Sequence, residues 1–309
     1  MDWTFSFRRA SPEDRAAVEA LCAKIWEGDD YIPTCFDAWA ADENGEFLLG
    51  FATGPAATNN GPSLIGLGKL SFLSPGEAWL EGLRKDPDSQ AKGFGSALCR
   101  HFLARLAADP SISSVRFSTY FSNSASIALN GALGFRQVAT ASCLHVVPSI
   151  DSRPAAAPPP DVITDAAEVL DFVRASSWFG PFLHEGWRSQ VWDEGVFAAR
   201  YVDTGSCVGF HSEGRLVALA ARSINNIKAT GQLPFFDAAD PGMGAALAAD
   251  CVAWFAERGV KEAETFVPAP GLRVLPMLQA AGFASSERLE DYLVFELPLV
   301  RLADYRASP

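Results

Sequence analysis

A short glycine-containing loop followed by a helical pattern is the part of this sequence best suited to chemistry. The loop Gln90-Ala91-Lys92-Gly93-Phe94-Gly95 reads Q-x-x-G-x-G. Because glycine has no Cβ, the backbone here can approach a ligand closely. A helix that starts at such a loop offers free N–H groups and the positive end of its dipole. This combination predicts a phosphate site, although an ordinary left-handed turn also explains two glycines. The spacing excludes both the P-loop and the Rossmann fingerprint.

The segments that flank this loop are those that must position it. Trp79, Leu80 and Leu83 are typical of a buried strand, which Asp86 and Pro87 end. After the loop, apolar residues fall at every fourth position, which predicts an amphipathic helix. They are Phe94, Leu98, Phe102 and Leu106. The chain is acidic as a whole, but cations surround the loop at Arg84, Lys85, Lys92 and Arg100.

The remaining patterns of the first half predict an α/β fold with a mixed sheet. Ser11-Pro12 starts a helix, and its apolar stripe continues to Trp26. A loop rich in Gly, Pro and Asn at 54–62 joins two strands. Strands that are first antiparallel and then alternate with helices suit such a sheet. We expect strands over 5–9, 46–53, 63–73, 115–121 and 136–147, and helices over 12–26 and 34–41.

Two stretches resemble the signatures of the GNAT superfamily of N-acetyltransferases. Leu83 to Gly95 resembles the acetyl-CoA signature [QR]-x-x-G-x-[GA], which follows a strand and opens a helix. Asn123 to Phe135 resembles the second signature, in which an asparagine and a short helix precede Gly-Phe and a last strand. The resemblance covers residues 4–147. It implies the GNAT fold and acetyl-CoA as the co-substrate.

The sequence beyond a proline-rich linker at 148–160 repeats that of the first half. Gly271 to Phe283 matches the frame of the second signature, and Pro241 to Gly244 matches that of the glycine loop. We therefore predict a tandem duplication, with a catalytic domain over 1–150 and a degenerate copy over 161–309 that shapes the substrate cleft. Two unrelated α/β domains are the alternative.

The second copy lacks the residue types that suit a phosphate site. Gln90 is matched by Ala239 and Lys92 by Pro241, and proline has no N–H to donate. Glu81 is matched by Thr230. We therefore expect coenzyme in the first domain alone.

The resemblance assigns the coenzyme to the strand, the loop and the helix start. The loop amides hold the pyrophosphate, and the bulged strand pairs with the pantetheine. Ser96 adds a hydroxyl in the first helical turn, and Asn123 contacts the coenzyme or merely caps the short helix. The implied coenzyme-binding residues are Leu83, Arg84, Lys85, Gln90, Ala91, Lys92, Gly93, Phe94, Gly95, Ser96, Asn123 and Asn130.

Glu81 is the candidate general base, because an amine must lose a proton before it can attack a thioester. It stands in an apolar strand, where a carboxylate is costly unless it is paired or used. A salt-bridged or outward-facing glutamate is the alternative. Many GNAT members have a tyrosine that protonates the leaving thiolate where this chain has Asn130. Tyr120 is the candidate acid, or a core residue, and a thiolate can also take its proton from water.

The acceptor side of the site is implied to lie between the first two helices. Asp29, Asp30 and Tyr31 stand there and could hold an amino or imidazole group. A solvated acidic loop is the alternative.

The composition and charge of the chain limit its possible partners and location. The 309 residues carry a formal net charge of −12, which argues against nucleic acid and is compatible with a cationic amine. The absence of a long apolar run predicts no membrane span, and the absence of an apolar leader predicts no secretion, so a cytoplasmic protein is expected. A monomer or homodimer is expected, and the sequence does not decide between them. Its six scattered cysteines are expected to be reduced, and its four histidines lack metal spacing, so no metal is expected.

The sequence is compatible with three functions. The first is an acetyl-CoA-dependent N-acetyltransferase acting on a small-molecule amine or a free amino acid, since the stretches GDDYIP and EGLRKDPDSQAKGFG are similar to those of members that acetylate amino acids such as histidine. The second is acetylation of a protein N-terminus or lysine. The third is a non-catalytic acyl-CoA-binding module.

Overall fold

The computed structural model describes residues 3–54, 63–153 and 158–306, and its contacts divide the chain into two units. The first unit comprises the chain up to Thr119, then Asn123–Val138 and the C-terminal segment from Phe295. The second comprises Tyr120–Ser122 and Ala139–Val294. This division differs from the predicted domains 1–150 and 161–309, because the end of the chain belongs to the first unit. No helix in the described ranges is long and apolar enough to cross a membrane.

The first unit is a sheet with helices on both faces. Its strands pair in the order β1-β2-β3-β4-β5, antiparallel except for the parallel pair β4–β5. The strands are β1 (Thr4–Arg9), β2 (Glu46–Thr53), β3 (Ser63–Ser74), β4 (Glu77–Lys85), β5 (Ser114–Tyr120) and the start of β6 (Arg136–Val146). The helices are α1 (Arg15–Cys22), α2 (Ile32–Ala40), α3 (Phe94–Ala107) and α4 (Ser124–Ala132).

Alternating side chains of β2 and β3 separate the two faces of this sheet. Leu49 and Leu67 are buried in one core cluster with apolar residues of α1 and α2. Gly50 and Gly66 face the opposite way, toward Phe94 at the start of α3. The period of two along each strand therefore sets the two helical layers.

The second unit repeats this order of elements. Its strands are β7 (Asp161–Val162), β8 (Phe182–Glu185), β9 (Arg188–Val191), β10 (Cys207–Ser212), β11 (Arg215–Asn225), β12 (Thr230–Ala238), β13 (Ala263–Pro268), β14 (Ala284–Ser285) and most of β15 (Tyr292–Glu296). Its helices are α5 (Ala166–Ala175), α6 (Glu194–Phe197), α7 (Pro241–Glu257) and α8 (Leu275–Ala280). The paired order is β6-β13-β12-β11-β10-β7, and β8 and β9 form a separate hairpin.

The two units share details that a chance likeness would not require. In each, the strand before the long helix pairs antiparallel with the preceding strand and parallel with the following one. In each, the register of the antiparallel pair shifts by one residue, at Leu67/Lys69 in one and Ala221/Ser223 in the other. The order of elements and the position of the bulge thus confirm the predicted repeat of strand–helix order.

The C-terminal segment completes the first unit. The backbone N–H of Leu297 donates to the carbonyl of Val115 at 2.9 Å. After it comes α9 (Leu299–Leu302), and the hydroxyl of Tyr305 then donates to the carbonyl of Leu133 at 2.6 Å. Both Leu297 and Leu302 are buried.

Two sequence-based boundaries are corrected by the structure. The predicted first helix ends at Cys22, not at Trp26, and the Trp26 side chain is 58% exposed. The predicted uncovered linker at 148–160 is partly bound, since Arg153 pairs with Asp250 and Glu257 of α7 at 2.8 and 2.9 Å. The rest of the linker at 154–157, and the predicted loop at 55–62, lie outside the described residues.

Candidate active site

Strand β4 carries a bulge at the point where the sequence predicted a coenzyme-binding strand. Gly82 and Leu83 together face a single residue of β3, between the pairs Lys69–Glu81 and Leu67–Arg84. Gly82 has a φ of +66°, which only glycine adopts readily. A Cβ at this position would also lie 2.7 Å from the Trp39 ring. A bulge takes one residue out of the ladder and redirects the strand, which leaves this part of β4 suited to binding an extended ligand.

Helix α3 begins at the glycine loop without a capping side chain. Gly93 occupies the N-cap position with a φ of +86°, and no side chain caps the helix. A Cβ built at Gly93 would meet nothing within 4 Å, so the space in front of the helix is open. The first N–H groups of a helix have no acceptor within it. This N-terminus can therefore accept an anion.

Some side chains of the glycine loop are buried, and others are exposed to solvent. Ala91 and Phe94 are buried, whereas Gln90 and Lys92 are exposed. Gly95 packs near Leu129, and Ser96 follows in the first helical turn. The predicted loop residues thus lie together around the start of α3.

Glycines on two neighbouring strands position Phe94 and, through it, the start of α3. A Cβ on Gly50 would lie 2.2 Å from the Phe94 ring, and one on Gly66 would lie 2.3 Å from it. Phe5 and Phe7 contact the same ring, with centroids 6.0 and 6.2 Å away. Since only glycine leaves this space, Phe94 can rest directly on the sheet.

Arg84 and Asp30 form an ion pair that the sequence did not predict. The Nε and Nη2 atoms of Arg84 lie 2.8 and 3.2 Å from the two carboxylate oxygens of Asp30, whose side chain is fully buried. The guanidinium also stacks on Trp26 and Tyr31, 4.2 and 5.3 Å from the ring centroids. Residues predicted for coenzyme and for acceptor therefore form one cluster, in which Asp30 neutralises Arg84.

Lys85, another cation predicted to bind coenzyme, bonds to the loop itself. Its Nζ donates to the carbonyl of Ser89 at 2.6 Å. It thereby ties the end of β4 to the segment that leads into α3. The contact stabilises the loop that presents Gly93.

The segment between α1 and α2 has an unusual backbone. Trp26, Glu27 and Gly28 have φ values of +46°, +58° and +95° in succession. Positive φ in non-glycine residues is uncommon and concentrates at functional sites. Asp29 follows and is exposed. Sequence reasoning missed Trp26 as a site residue, because it counted the side chain as the end of an apolar helical stripe.

Glu81 is half-buried and oriented by a neighbour on β3. The hydroxyl of Ser71 donates to Glu81 Oε1 at 2.6 Å. Ser71 is itself buried, and no pattern along the chain indicated the pairing, which depends on the register of β3 and β4. A carboxylate held in this way can act as a general base.

Tyr31 lies close enough to Glu81 and to the Arg84–Asp30 ion pair to interact electrostatically with both. Burial raises the pKa of the Tyr31 hydroxyl, and the nearby carboxylate of Glu81 raises it as well, while Arg84 lowers it. The net direction is upward, so Tyr31 stays protonated at neutral pH. Its ring packs edge-on against Trp39, with centroids 6.1 Å apart.

The residues of the second signature serve the short helix α4. Asn123 caps it, with its side-chain oxygen accepting from the N–H of Ser126 at 3.1 Å. Asn130 is buried, and its amide donates to the carbonyl of Ser126 at 2.9 Å. The capping expected as an alternative is thus present at Asn123. A coenzyme contact by either side chain stays a prediction.

Tyr120, the candidate acid, is the last residue of β5 and is assigned to the second unit. Its side chain is partly buried, and its ring lies 6.1 Å from that of Trp187. Burial, together with the carboxylate of Asp291, raises the pKa of Tyr120 to about 12. Its role as an acid stays a prediction.

Comparison with known proteins places the first unit in a family. Residues 7–135 match the sequence model of the acetyltransferase (GNAT) family. A stretch of 101 residues is 34% identical to histidine N-acetyltransferase of Oreochromis niloticus. That stretch is 32% of this chain and 27% of the relative, so the match spans about a quarter of the relative's length.

Solved structures extend the likeness to the whole fold. A GCN5-related N-acetyltransferase from Sphaerobacter thermophilus aligns with a TM-score of 0.63 and 16% identity, covering 96% of each chain. A tandem GNAT protein from the clavulanic acid biosynthesis pathway aligns with a TM-score of 0.56 and 14% identity, covering 96% of this chain and 99% of the other. At such identities the likeness shows the fold alone. Residues 7–135 therefore form a domain of the GNAT acetyltransferase family, and the chain as a whole has the fold of the GNAT proteins named here.

Proposed function

We propose that this protein transfers an acetyl group from acetyl-CoA to the amine of a small molecule. The observation that carries the proposal is the uncapped N-terminus of α3, which follows directly on the bulged strand β4. Open space in front of Gly93 and an exposed Lys92 fit the pyrophosphate of a coenzyme. The bulge at Gly82 fits the extended pantetheine arm, whose amides pair with strand backbone.

The second unit supports this assignment by contrast. Helix α7, which corresponds to α3 in the repeated order, is capped by Asp240, whose carboxylate accepts from the N–H of Met243 at 2.8 Å. That carboxylate uses a free N–H and adds negative charge where a phosphate would approach. Pro241 removes a further N–H. We therefore place the coenzyme in the first unit alone.

Glu81 is the general base of the proposed reaction. Ser71 orients the carboxylate through one oxygen, and the carboxylate takes a proton from the amine, directly or through one water. The neutral amine then attacks the thioester carbonyl. A thiolate is a stable leaving group, so no dedicated acid is required.

The acceptor proposed is a free amino acid with a cationic or imidazole group. Glu27 and Asp29 are exposed acidic groups on the strained segment between α1 and α2, and they favour a positively charged acceptor. The histidine N-acetyltransferase named above supports histidine as the first amino acid to test.

One observation favours a second candidate, a non-catalytic acyl-CoA-binding module. Asn130 stands where many members of the family have a tyrosine. Acetylation of a protein N-terminus or lysine is the remaining alternative. It predicts turnover with peptides and none with free amines.

The deciding experiment measures thiol released from acetyl-CoA in the presence of histidine, other free amino acids, small amines and peptides. Glu81→Gln keeps the hydrogen bond to Ser71 but removes the basicity. We expect turnover to fall by about 10²–10⁴-fold, with acetyl-CoA affinity unchanged. The defect should shrink as pH rises toward the amine's own pKa, because more acceptor then arrives deprotonated.

Two results would contradict these assignments. Turnover of the Glu81→Gln variant within about twofold of the parent, in an assay limited by chemistry, removes Glu81 from the mechanism. Tight acetyl-CoA binding without turnover of any amine or peptide favours the binding module.

A further inference from the structure

The second unit contains a cluster of metal-ligand residue types on one face of two paired strands. Cys143 and His145 alternate along β6, and Glu264 lies directly across from His145 on β13. Residues two apart on a strand share a face, as do residues directly opposite on its neighbour. One ligand atom from each of the three residues lies within 4.8 Å of the other two. The Sγ of Cys143 is 3.1 Å from Nε2 of His145.

We propose that Cys143, His145 and Glu264 bind one divalent transition-metal ion of the zinc type. A thiolate, an imidazole and a carboxylate are the donors that Zn²⁺ takes in proteins. Three protein ligands leave a fourth position for water. The sequence expectation of no metal rested on spacing along the chain. It could not detect this set, since the register of β6 and β13 brings Glu264 to the other two.

The electrostatics of the cluster call for positive charge. Cys143 and Glu264 are both buried, at 1% and 8% exposure. A doubly charged cation bound to one thiolate and one carboxylate leaves no net charge, which removes the cost of burying the two anions.

His145 is oriented to present Nε2 to the ion. A carboxylate oxygen of Glu262 lies 3.1 Å from its Nδ1, on the side away from Cys143. This distance is short enough for an ion pair, but the two groups do not have the geometry of a hydrogen bond. A small rotation of either side chain would complete the carboxylate–histidine–metal arrangement that usually supports a metal-bound imidazole, with the proton on Nδ1 and the Nε2 lone pair on the ion.

His145 connects the cluster to the protein surface. A surface depression of the second unit, with a volume of about 430 Å³, is lined by His145 and Glu262 together with Ser152 and Gly282. His145 keeps 29% of its side chain exposed. The imidazole is therefore the ligand of the three that is in contact with solvent, while Cys143 and Glu264 are buried.

The test is a titration of the chelator-treated full-length protein with Co²⁺, which reports its ligands by colour. We expect one equivalent to bind and to produce a near-ultraviolet sulfur-to-cobalt charge-transfer band, which Zn²⁺ then removes by displacement. Cys143→Ser should abolish the band. Cys207→Ser, at another fully buried cysteine of the same unit, should leave it unchanged.

Two milder variants keep the proposal testable if Cys143→Ser fails to fold. Glu264→Gln should weaken Co²⁺ binding about tenfold or more, since it removes a ligand charge. Glu262→Gln should weaken it about 10–100-fold while the sulfur band remains, as expected for an outer-shell group. The proposal is overturned if the folded parent protein shows no sulfur-to-cobalt band. It is also overturned if the band persists in the Cys143→Ser variant.

Discussion

Substitutions at Gly93 can separate the effect of charge on coenzyme binding from the effect of backbone conformation. It has positive φ, open space around it and an uncapped helix behind it. Asparagine and aspartate tolerate this conformation to a similar degree, because both are enriched at positive φ. The two side chains have nearly the same shape, but aspartate is negatively charged and asparagine is neutral.

Gly93→Asp should therefore weaken acetyl-CoA binding more than Gly93→Asn does. The carboxylate repels a phosphate at the start of α3, whereas the amide does not. We expect a loss of about tenfold or more in affinity between the two variants, equivalent to about 1.4 kcal/mol. Calorimetric titration with acetyl-CoA measures it. Equal affinities would move the pyrophosphate away from this loop.

Arg84 makes contacts that its neighbours in sequence did not indicate. Its proximity to the glycine loop suggested a phosphate contact. The structure pairs it with buried Asp30 and stacks it on Trp26. An arginine so engaged positions the segment between α1 and α2. Its predicted coenzyme contact, like the predicted acceptor contact of Asp30, stays untested.

At the scale of elements, the site depends on how closely α3 approaches the sheet. Gly50 and Gly66 leave the space that the Phe94 ring fills. A methyl group at either position would push Phe94, and with it the N-terminus of α3, off the strands. The glycines of β2 and β3 thus help to position the start of α3, where we propose that the coenzyme binds, although neither lies in the loop.

Gly66→Ala should lower both stability and coenzyme affinity. A Cβ there meets the Phe94 ring at 2.3 Å and the Arg84 carbonyl at 2.4 Å, so the helix must shift. Overpacking of this kind costs about 1–3 kcal/mol of the free energy of unfolding. Denaturant unfolding and acetyl-CoA titration together measure the two effects.

The matched control is Gly131→Ala, in the exposed part of α4. A Cβ at Gly131 meets nothing within 4 Å, and alanine is favoured over glycine in a helix by about 0.5–1 kcal/mol. It should be neutral or stabilising. A Gly66→Ala protein that unfolds at the same denaturant concentration as Gly131→Ala would show that α3 does not rest on these glycines.

At the scale of the whole molecule, the first unit depends on the last residues of the chain. Arg116 is 1% exposed and pairs with Glu296 at 3.1 Å, besides Glu77 at 3.5 Å. Leu297 continues the strand bonding to Val115, and Leu302 packs after it. A fragment that ends near residue 150 lacks the contacts made by Glu296, Leu297 and Leu302.

A chain that ends at Val294 should therefore lose stability in its first unit. Arg116 would lose Glu296 but keep Glu77, so the main loss is that of the two buried leucines Leu297 and Leu302. Burying a leucine side chain contributes about 1.5–3 kcal/mol. Thermal unfolding of this shortened chain should begin at a lower temperature than that of a chain that ends at Arg306. Identical unfolding curves for the two chains would mean that residues 295–306 contribute nothing to the first unit.

The sequence alone determined the features that are local along the chain. The glycine loop, the stripe that begins at Phe94 and the end of β4 after Lys85 were all predictable. They depend on backbone preferences and on the helical period, which act over a few residues. The repeated order of strands and helices was predictable for the same reason, since the second half repeats the local patterns.

Only the tertiary structure decided which distant residues meet. Ser71 reaches Glu81, and Arg84 reaches Asp30, through the strand register and through a strained turn that ends α1 before Trp26. The C-terminal segment joins the first unit, and Glu264 joins Cys143, through pairings between remote segments. A shift of one residue in register would turn each of these side chains to the opposite face. Local sequence does not encode that register.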